Sequence, residues 1–148
     1  MLKIHPRAFE RLVLDLLLKM GYGVNGSVKQ SKNGSDGGID GEILQDQLGF
    51  DRIYMQAKRY ARNKSVSEDK VRDFVGALKG GTRGVFITTS RFTKAAIDYS
   101  KDQQQKILVL IDGDKLSQLM IDHGLGIQKT YTFSTYRLDS DYLGETDL

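Results

Sequence analysis

The sequence predicts an α/β domain with a central mixed β-sheet flanked by helices. Three observations lead there. Apolar residues recur with helical spacing near the N-terminus, two neighbouring runs at residues 39–44 and 53–58 alternate with a period of two, and strand-like and helix-like segments then take turns from residue 65 to residue 123. The two alternating runs read as an antiparallel hairpin and the later segments as parallel crossover units, so one sheet has to hold both senses.

Pro6 suits the first turn of a helix, where its missing N–H costs nothing, and Phe9, Leu12, Val13, Leu16, Leu17 and Met20 then share one face up to Gly21, a natural stop. A first strand is expected within Tyr22 to Lys29. The stretch from Ser31 to Gly38 is too rich in Gly, Asn, Ser and Asp for a helix and reads as a turn. From Ile39 to Leu44, alternation places Ile39, Gly41 and Ile43 on one side and Asp40, Glu42 and Leu44 on the other. Across a loop from Gln45 to Gly49, a second run sets Ile53, Met55 and Ala57 opposite Tyr54, Gln56 and Lys58.

Ser65-Val66-Ser67-Glu68 fits a capping box for a helix carrying Val71, Phe74, Val75 and Leu78 as far as Gly80-Gly81. Gly84 to Thr89 is a β-branched and aromatic run, Phe92 to Lys101 a helix, Lys106 to Ile111 a strand, and Asp114 to His123 a helix. Beyond Gly126 only Tyr131 to Tyr136 has strand character, and Asp139 to Leu148 reads as a frayed acidic end. The order is helix, three strands, helix, strand, helix, strand, helix, and residues 1–148 are expected to form a single domain.

Composition narrows the function. With 39% hydrophobic and 28% charged residues the chain has the balance of a globular protein. Cysteine is absent, which excludes disulfides, zinc ribbons, iron–sulfur clusters and thiol nucleophiles and agrees with the expected cytoplasmic location. Lys3, Arg7, Glu10, Arg11 and Asp15 interrupt the N-terminal apolar pattern, so neither a signal peptide nor a membrane anchor is expected there. The net charge is +3 with a pI near 9.0, and Arg52, Lys58, Arg59, Arg62, Lys64, Lys70 and Arg72 concentrate it in the middle of the chain, ahead of an acidic end. His5 and His123 are too few and too distant for a histidine-based metal site, and the glycines of residues 34–41 lack the following helix that a dinucleotide loop requires.

If the hairpin forms, Asp40 from one strand meets Gln56 and Lys58 from its neighbour near the sheet edge. Phosphodiester hydrolysis needs a cation to neutralise the phosphate, an activated water, and a group that holds or deprotonates that water. Asp40 can anchor the cation, the Gln56 amide oxygen can add a neutral ligand, and Lys58 can orient the water; the set suits a hard ion such as Mg²⁺ or Mn²⁺. Glu10, at the border of the apolar face of the first helix, is the candidate for a further acid. The cluster of Arg59, Arg62 and Lys64, with Tyr60 among them, can meet phosphates and stack on a base or sugar, and Thr89 and Ser90 end a strand before a helix, where amides and hydroxyls can hold a phosphate.

Gly37-Gly38-Ile39-Asp40-Gly41, Gln56-Ala57-Lys58-Arg59-Tyr60, Val71-Arg72-Asp73-Phe74-Val75-Gly76-Ala77-Leu78 and Thr88-Thr89-Ser90-Arg91-Phe92-Thr93, in this order, resemble the catalytic domain of Mrr-type restriction endonucleases of the PD-(D/E)xK superfamily. The resemblance runs from about Phe9 to about Met120. It implies a restriction-endonuclease-like αβββαβ core, metal-dependent cleavage of double-stranded DNA to leave a 5′-phosphate, and roles for Asp40 as metal-binding aspartate, Lys58 as the motif lysine and Glu10 as the first-helix acid. Gln56 stands where the wider superfamily has Glu or Asp, which is normal for the Mrr branch. Relatives usually carry a separate winged-helix domain that selects modified DNA; these 148 residues leave no room for one, so a compact stand-alone relative and a fragment of a longer chain both stay open, and a preference for methylated DNA is not carried over. Two alternatives stay open: a non-catalytic DNA-binding module with a nuclease-like fold, and a nuclease for branched DNA similar to Holliday junction resolvases. Cutting both strands favours a homodimer, to which Tyr131, Phe133 and Tyr136 are candidate contributors.

Overall fold

The computed structural model describes residues 3–23, 27–31, 38–78 and 83–126. Their elements follow the expected order: α1 (Pro6–Lys19), β1 (Val28–Gln30), β2 (Gly41–Leu44), β3 (Arg52–Lys58), α2 (Glu68–Ala77), β4 (Arg83–Thr88), α3 (Lys94–Lys101), β5 (Ile107–Ile111) and α4 (Gly113–Asp122). The five strands lie in chain order across one sheet; β1, β2 and β3 pair antiparallel, whereas β3, β4 and β5 run parallel. This is the mixed α/β sheet the sequence predicts.

Alternation along the central strands divides the interior into two layers. Ile43, Met55, Ala57, Val85 and Ile87 pack with Phe9, Val13, Leu14 and Leu17 of α1 and with Leu116 and Met120 of α4. On the other face, Phe86 meets Phe74 of α2 and Phe92 in edge-to-face contacts, with ring centroids 5.6 and 5.5 Å apart, the geometry that aromatic quadrupoles favour. Both ends of the chain's helical layer use glycine to stop. Gly21 at φ 98° follows α1, and the amides of Gly21 and Tyr22 return to the carbonyls of Leu18 and Leu17; Gly124 at φ 63° does the same after α4, with Leu125 bonded to Met120.

Among the described residues the first strand covers only Val28–Gln30, at the end of the expected stretch, with the Leu44 amide bonded to the Ser27 carbonyl just before it, and Tyr22 is taken up in the α1 stop signal. The capping box does not form. Ser67 is the N-cap of α2 and makes no side-chain cap bond, while Ser65 instead accepts a hydrogen bond from Arg91 at 3.0 Å. Phe92 lies outside α3, since Val66 and Phe92 form an isolated parallel bridge and Thr93 caps the helix through the amide of Ala96. Lys106 lies outside β5 and donates to the carbonyls of Val75 and Leu78 at the end of α2. Residues 131–136 and 139–148 lie outside the described residues.

Candidate active site

β2 does not begin as a regular strand. Gly41 pairs with Met55, yet the amide of Asp40 also donates to the carbonyl of Met55, at 2.8 Å. Two residues therefore oppose one, which is a β-bulge, a device that re-aims a side chain at the end of a ladder. The bulge breaks the expected alternation: Ile39 packs with the aromatic cluster, whereas Gly41 and Ile43 face α1. Asp40 and Glu42 are separated in consequence, and Glu42 faces Arg52 at 3.5 Å. The Asp40 carboxylate turns along the strand and accepts the amide of Ala57 at 2.7 Å.

This places Asp40 beside the end of β3 that carries Gln56 and Lys58. β1 covers β2, so the location is the end of the sheet and not its edge. Burial is the main influence on the Asp40 carboxyl and raises its pKa from 3.8 to about 6; the Ala57 amide opposes that, the nearby charge of Glu10 adds to it, and Lys58 and Arg7 pull it down. Gln56 is only 5% exposed, and its amide lies against Gly38, whose φ of 97° and missing side chain leave room for it: a Cβ there would stand 2.9 Å from the Gln56 nitrogen. Its Oε1 is buried without a hydrogen-bond partner among the described residues.

An unpartnered buried oxygen is costly unless something polar takes it, and a carboxylate starved of solvent gains from a nearby positive charge. Both features suit a hard divalent cation with oxygen ligands. Among the described residues no three His, Cys, Asp or Glu side chains cluster as a metal site. The candidate donor set is instead two carboxylates and an amide.

Glu10 supplies the second carboxylate from α1. Its Oε2 accepts from Arg7 Nη1 at 2.9 Å and from Gln30 Nε2 at 3.1 Å. Nothing in the sequence singles out Arg7 or Gln30 for the site; the one hint is the i, i+3 spacing of Arg7 and Glu10, which also occurs on ordinary helix surfaces.

The basic loop after β3 is bound to the turn after β4. The amide and hydroxyl of Thr89 donate to the carbonyls of Lys58 and Tyr60, Ser90 Oγ reaches the carbonyl of Arg62, and the Val66 amide bonds to Arg91. Thr89 and Ser90 are thus buried, with their hydroxyls donated to this loop, so they brace it from behind. Gly113 completes the junction: its amide bonds to the Ser90 carbonyl, and a Cβ would stand 2.3 Å from the Thr89 carbonyl oxygen. Tyr60 packs against the aromatic cluster with Lys64 above its ring at 4.2 Å, and Arg62 and Lys64 are exposed. Arg59 is half-buried between them and the end of β3.

The family model described as a restriction endonuclease, Mrr_cat, matches residues 1–120. The chain is 41% identical over 145 residues to the type IV methyl-directed restriction enzyme EcoKMrr of Escherichia coli (strain K12), a match covering 96% of this chain and 46% of the relative. Among solved structures it is similar to the MspJI restriction endonuclease in complex with a 27-mer oligonucleotide, with a TM-score of 0.57 and 29% identity over 77% of this chain and 27% of that one. The DNA modification-dependent restriction endonuclease AspBHI shares the fold, with a TM-score of 0.66 and 22% identity over 83% of this chain and 33% of that one. The chain spans less than half the length of each of these three proteins.

Proposed function

This chain belongs to the Mrr_cat restriction-endonuclease family, and from that premise we propose that it is a divalent-metal-dependent DNA endonuclease acting in restriction or defence. The observation that carries the proposal is the buried Oε1 of Gln56, unpartnered among the described residues, one residue before the Ala57 amide that holds the desolvated carboxyl of Asp40. Asp40, Gln56 and Glu10 would hold Mg²⁺ or Mn²⁺, which when bound supplies neutralisation of the phosphate and a water of lowered pKa.

The chain's own residues do the rest. The ammonium of Lys58 orients the attacking water and offsets charge growing on the phosphate oxygens, and the bond from the Thr89 amide to the Lys58 carbonyl keeps that lysine in place. The Ala57 amide holds the Asp40 carboxylate in one orientation. Attack on phosphorus expels the 3′-oxygen and leaves the 5′-phosphate. Arg59, Tyr60, Arg62 and Lys64 follow the backbone of double-stranded DNA from the loop beside the site, with Thr89 and Ser90 bracing it. Two copies acting together would cut both strands, and cytoplasmic DNA is the natural substrate.

Incubation with supercoiled plasmid and Mg²⁺ or Mn²⁺ tests this, using methylated and unmethylated plasmid and a four-way junction. Nicking that disappears in Lys58→Ala is expected. DNA retention without cleavage of any substrate by a folded sample would establish a binding module instead, and cleavage confined to the junction would move the substrate to branched DNA.

A further inference from the structure

The surroundings of Glu10 form a closed ring of hydrogen bonds. Gln30 Nε2 donates to the Arg7 carbonyl at 3.0 Å and to Glu10 Oε2, while Arg7 Nη1 donates to the same Glu10 oxygen and to the carbonyl of Ser31. The amide of Ser31 in turn bonds to the carbonyl of Asp40 at 2.9 Å. One side chain of β1 and one of α1 therefore tie the Glu10 carboxylate to the backbone of Asp40 through Ser31.

An ordinary helix-surface pair would not look like this. The Glu10 side chain is only 13% exposed, its partner Arg7 33%, and a third group from another element completes the arrangement. Arg7 alone would leave the carboxylate free to turn about its own side-chain torsions. The Gln30 amide, fixed at a second point by the Arg7 carbonyl, removes that freedom, as outer-shell partners of metal ligands do. Glutamine is suited to this because it donates without adding a second positive charge to that of Arg7.

We propose that Gln30 is a positioning residue that orients the Glu10 carboxylate toward the cation shared with Asp40 and Gln56. The inference rests on the endonuclease reading above. Gln30→Met keeps approximate shape and removes the donor; Gln30→Glu keeps shape and replaces the donor by a repelling charge. Calorimetric titration with Mn²⁺ alone should show affinity weakened at least about tenfold in both, with the melting temperature of Gln30→Met close to that of the parent. In a Glu10→Ala background, Gln30→Met should weaken Mn²⁺ no further, because the group it orients is gone.

Unchanged Mn²⁺ affinity in Gln30→Met would overturn the assignment, as would the same loss with and without Glu10. A collapse of the melting temperature in both Gln30 variants would show a purely structural role and overturn it too. Failure of the unsubstituted protein to take up Mn²⁺ would defeat the endonuclease reading itself, a result separable from any that concerns Gln30.

Discussion

Two aspartates stand just outside the two ends of β2, and their carboxyl groups are shifted in opposite directions. Asp46, in the turn toward β3, accepts the amides of Phe50 and Asp51 at 3.0 and 2.6 Å, and these bonds hold its pKa below the usual 3.8. Asp40, at the bulge, has a single amide bond and is largely desolvated, which raises its pKa to about 6. The first carboxylate satisfies the chain around it. The second keeps one amide bond in a desolvated setting, and the neighbouring strand carries Gln56, whose Oε1 is buried without a partner among the described residues. A carboxylate bonded into its own turn and a desolvated carboxyl in the proposed site thus occupy opposite ends of one four-residue strand.

The largest effect that would sharpen the contrast is on cleavage. Asp40→Asn should retain the bond from the Ala57 amide yet lower plasmid cleavage by at least about a thousandfold, as loss of a charged metal ligand does, whereas Asp46→Asn should leave the rate within about twofold. Equal losses at both positions in a nicking assay would erase the distinction.

Next in size is the stability of the metal-free protein. Asp40→Asn should unfold at higher denaturant, by roughly 2 kcal/mol near pH 7 after allowing for partial exposure, because it removes the penalty of ionising a desolvated group. The pH dependence has the matching sign. Between 3.8 and about 6 the folded chain keeps a proton on Asp40 that the unfolded chain releases, so stability falls as pH rises through that window and levels above it. Urea melts across the window should show this slope in the parent and not in Asp40→Asn.

The same end of the sheet is held by the Thr89 hydroxyl. Thr89→Val leaves the Tyr60 carbonyl without that donor, and a loss of about 1 kcal/mol in stability with a raised KM for DNA and little change in kcat is expected from steady-state assays. The smallest effect belongs to Asp46. Its lowered pKa means stabilisation that is present above 3.8 and lost as pH falls below it, so Asp46→Asn should lower the melting temperature slightly at pH 7 and converge with the parent in acid.

Much of this was legible in the residues. Helical spacing from Phe9 to Met20 and the glycine after it settle α1, and the two period-two runs settle the hairpin that carries Asp40, Gln56 and Lys58. Local capping was legible only in part, since Ser65 and Ser67 both offer hydroxyls before α2 and the choice between them depends on Arg91 and Phe92, distant in sequence. The bulge left no trace, because Ile39, Gly41 and Ile43 alternate as well in an unbroken strand. Thr89 and Ser90 carry hydroxyls able to meet a phosphate, and only the folded chain shows them donated to the carbonyls of residues 60 and 62.

The sequence by itself determined the order of elements, the layer each apolar residue joins in the regular parts of helices and strands, and the chemical types available to the site, because periodicity and residue chemistry are local properties. The tertiary structure decided how those types are tuned: the bulge that turns Asp40 toward Ala57, the burial that raises its pKa, and the ring that ties Arg7, Gln30 and Glu10 together. Each of these depends on which groups desolvate or bond one another across separate elements, and no local pattern encodes that.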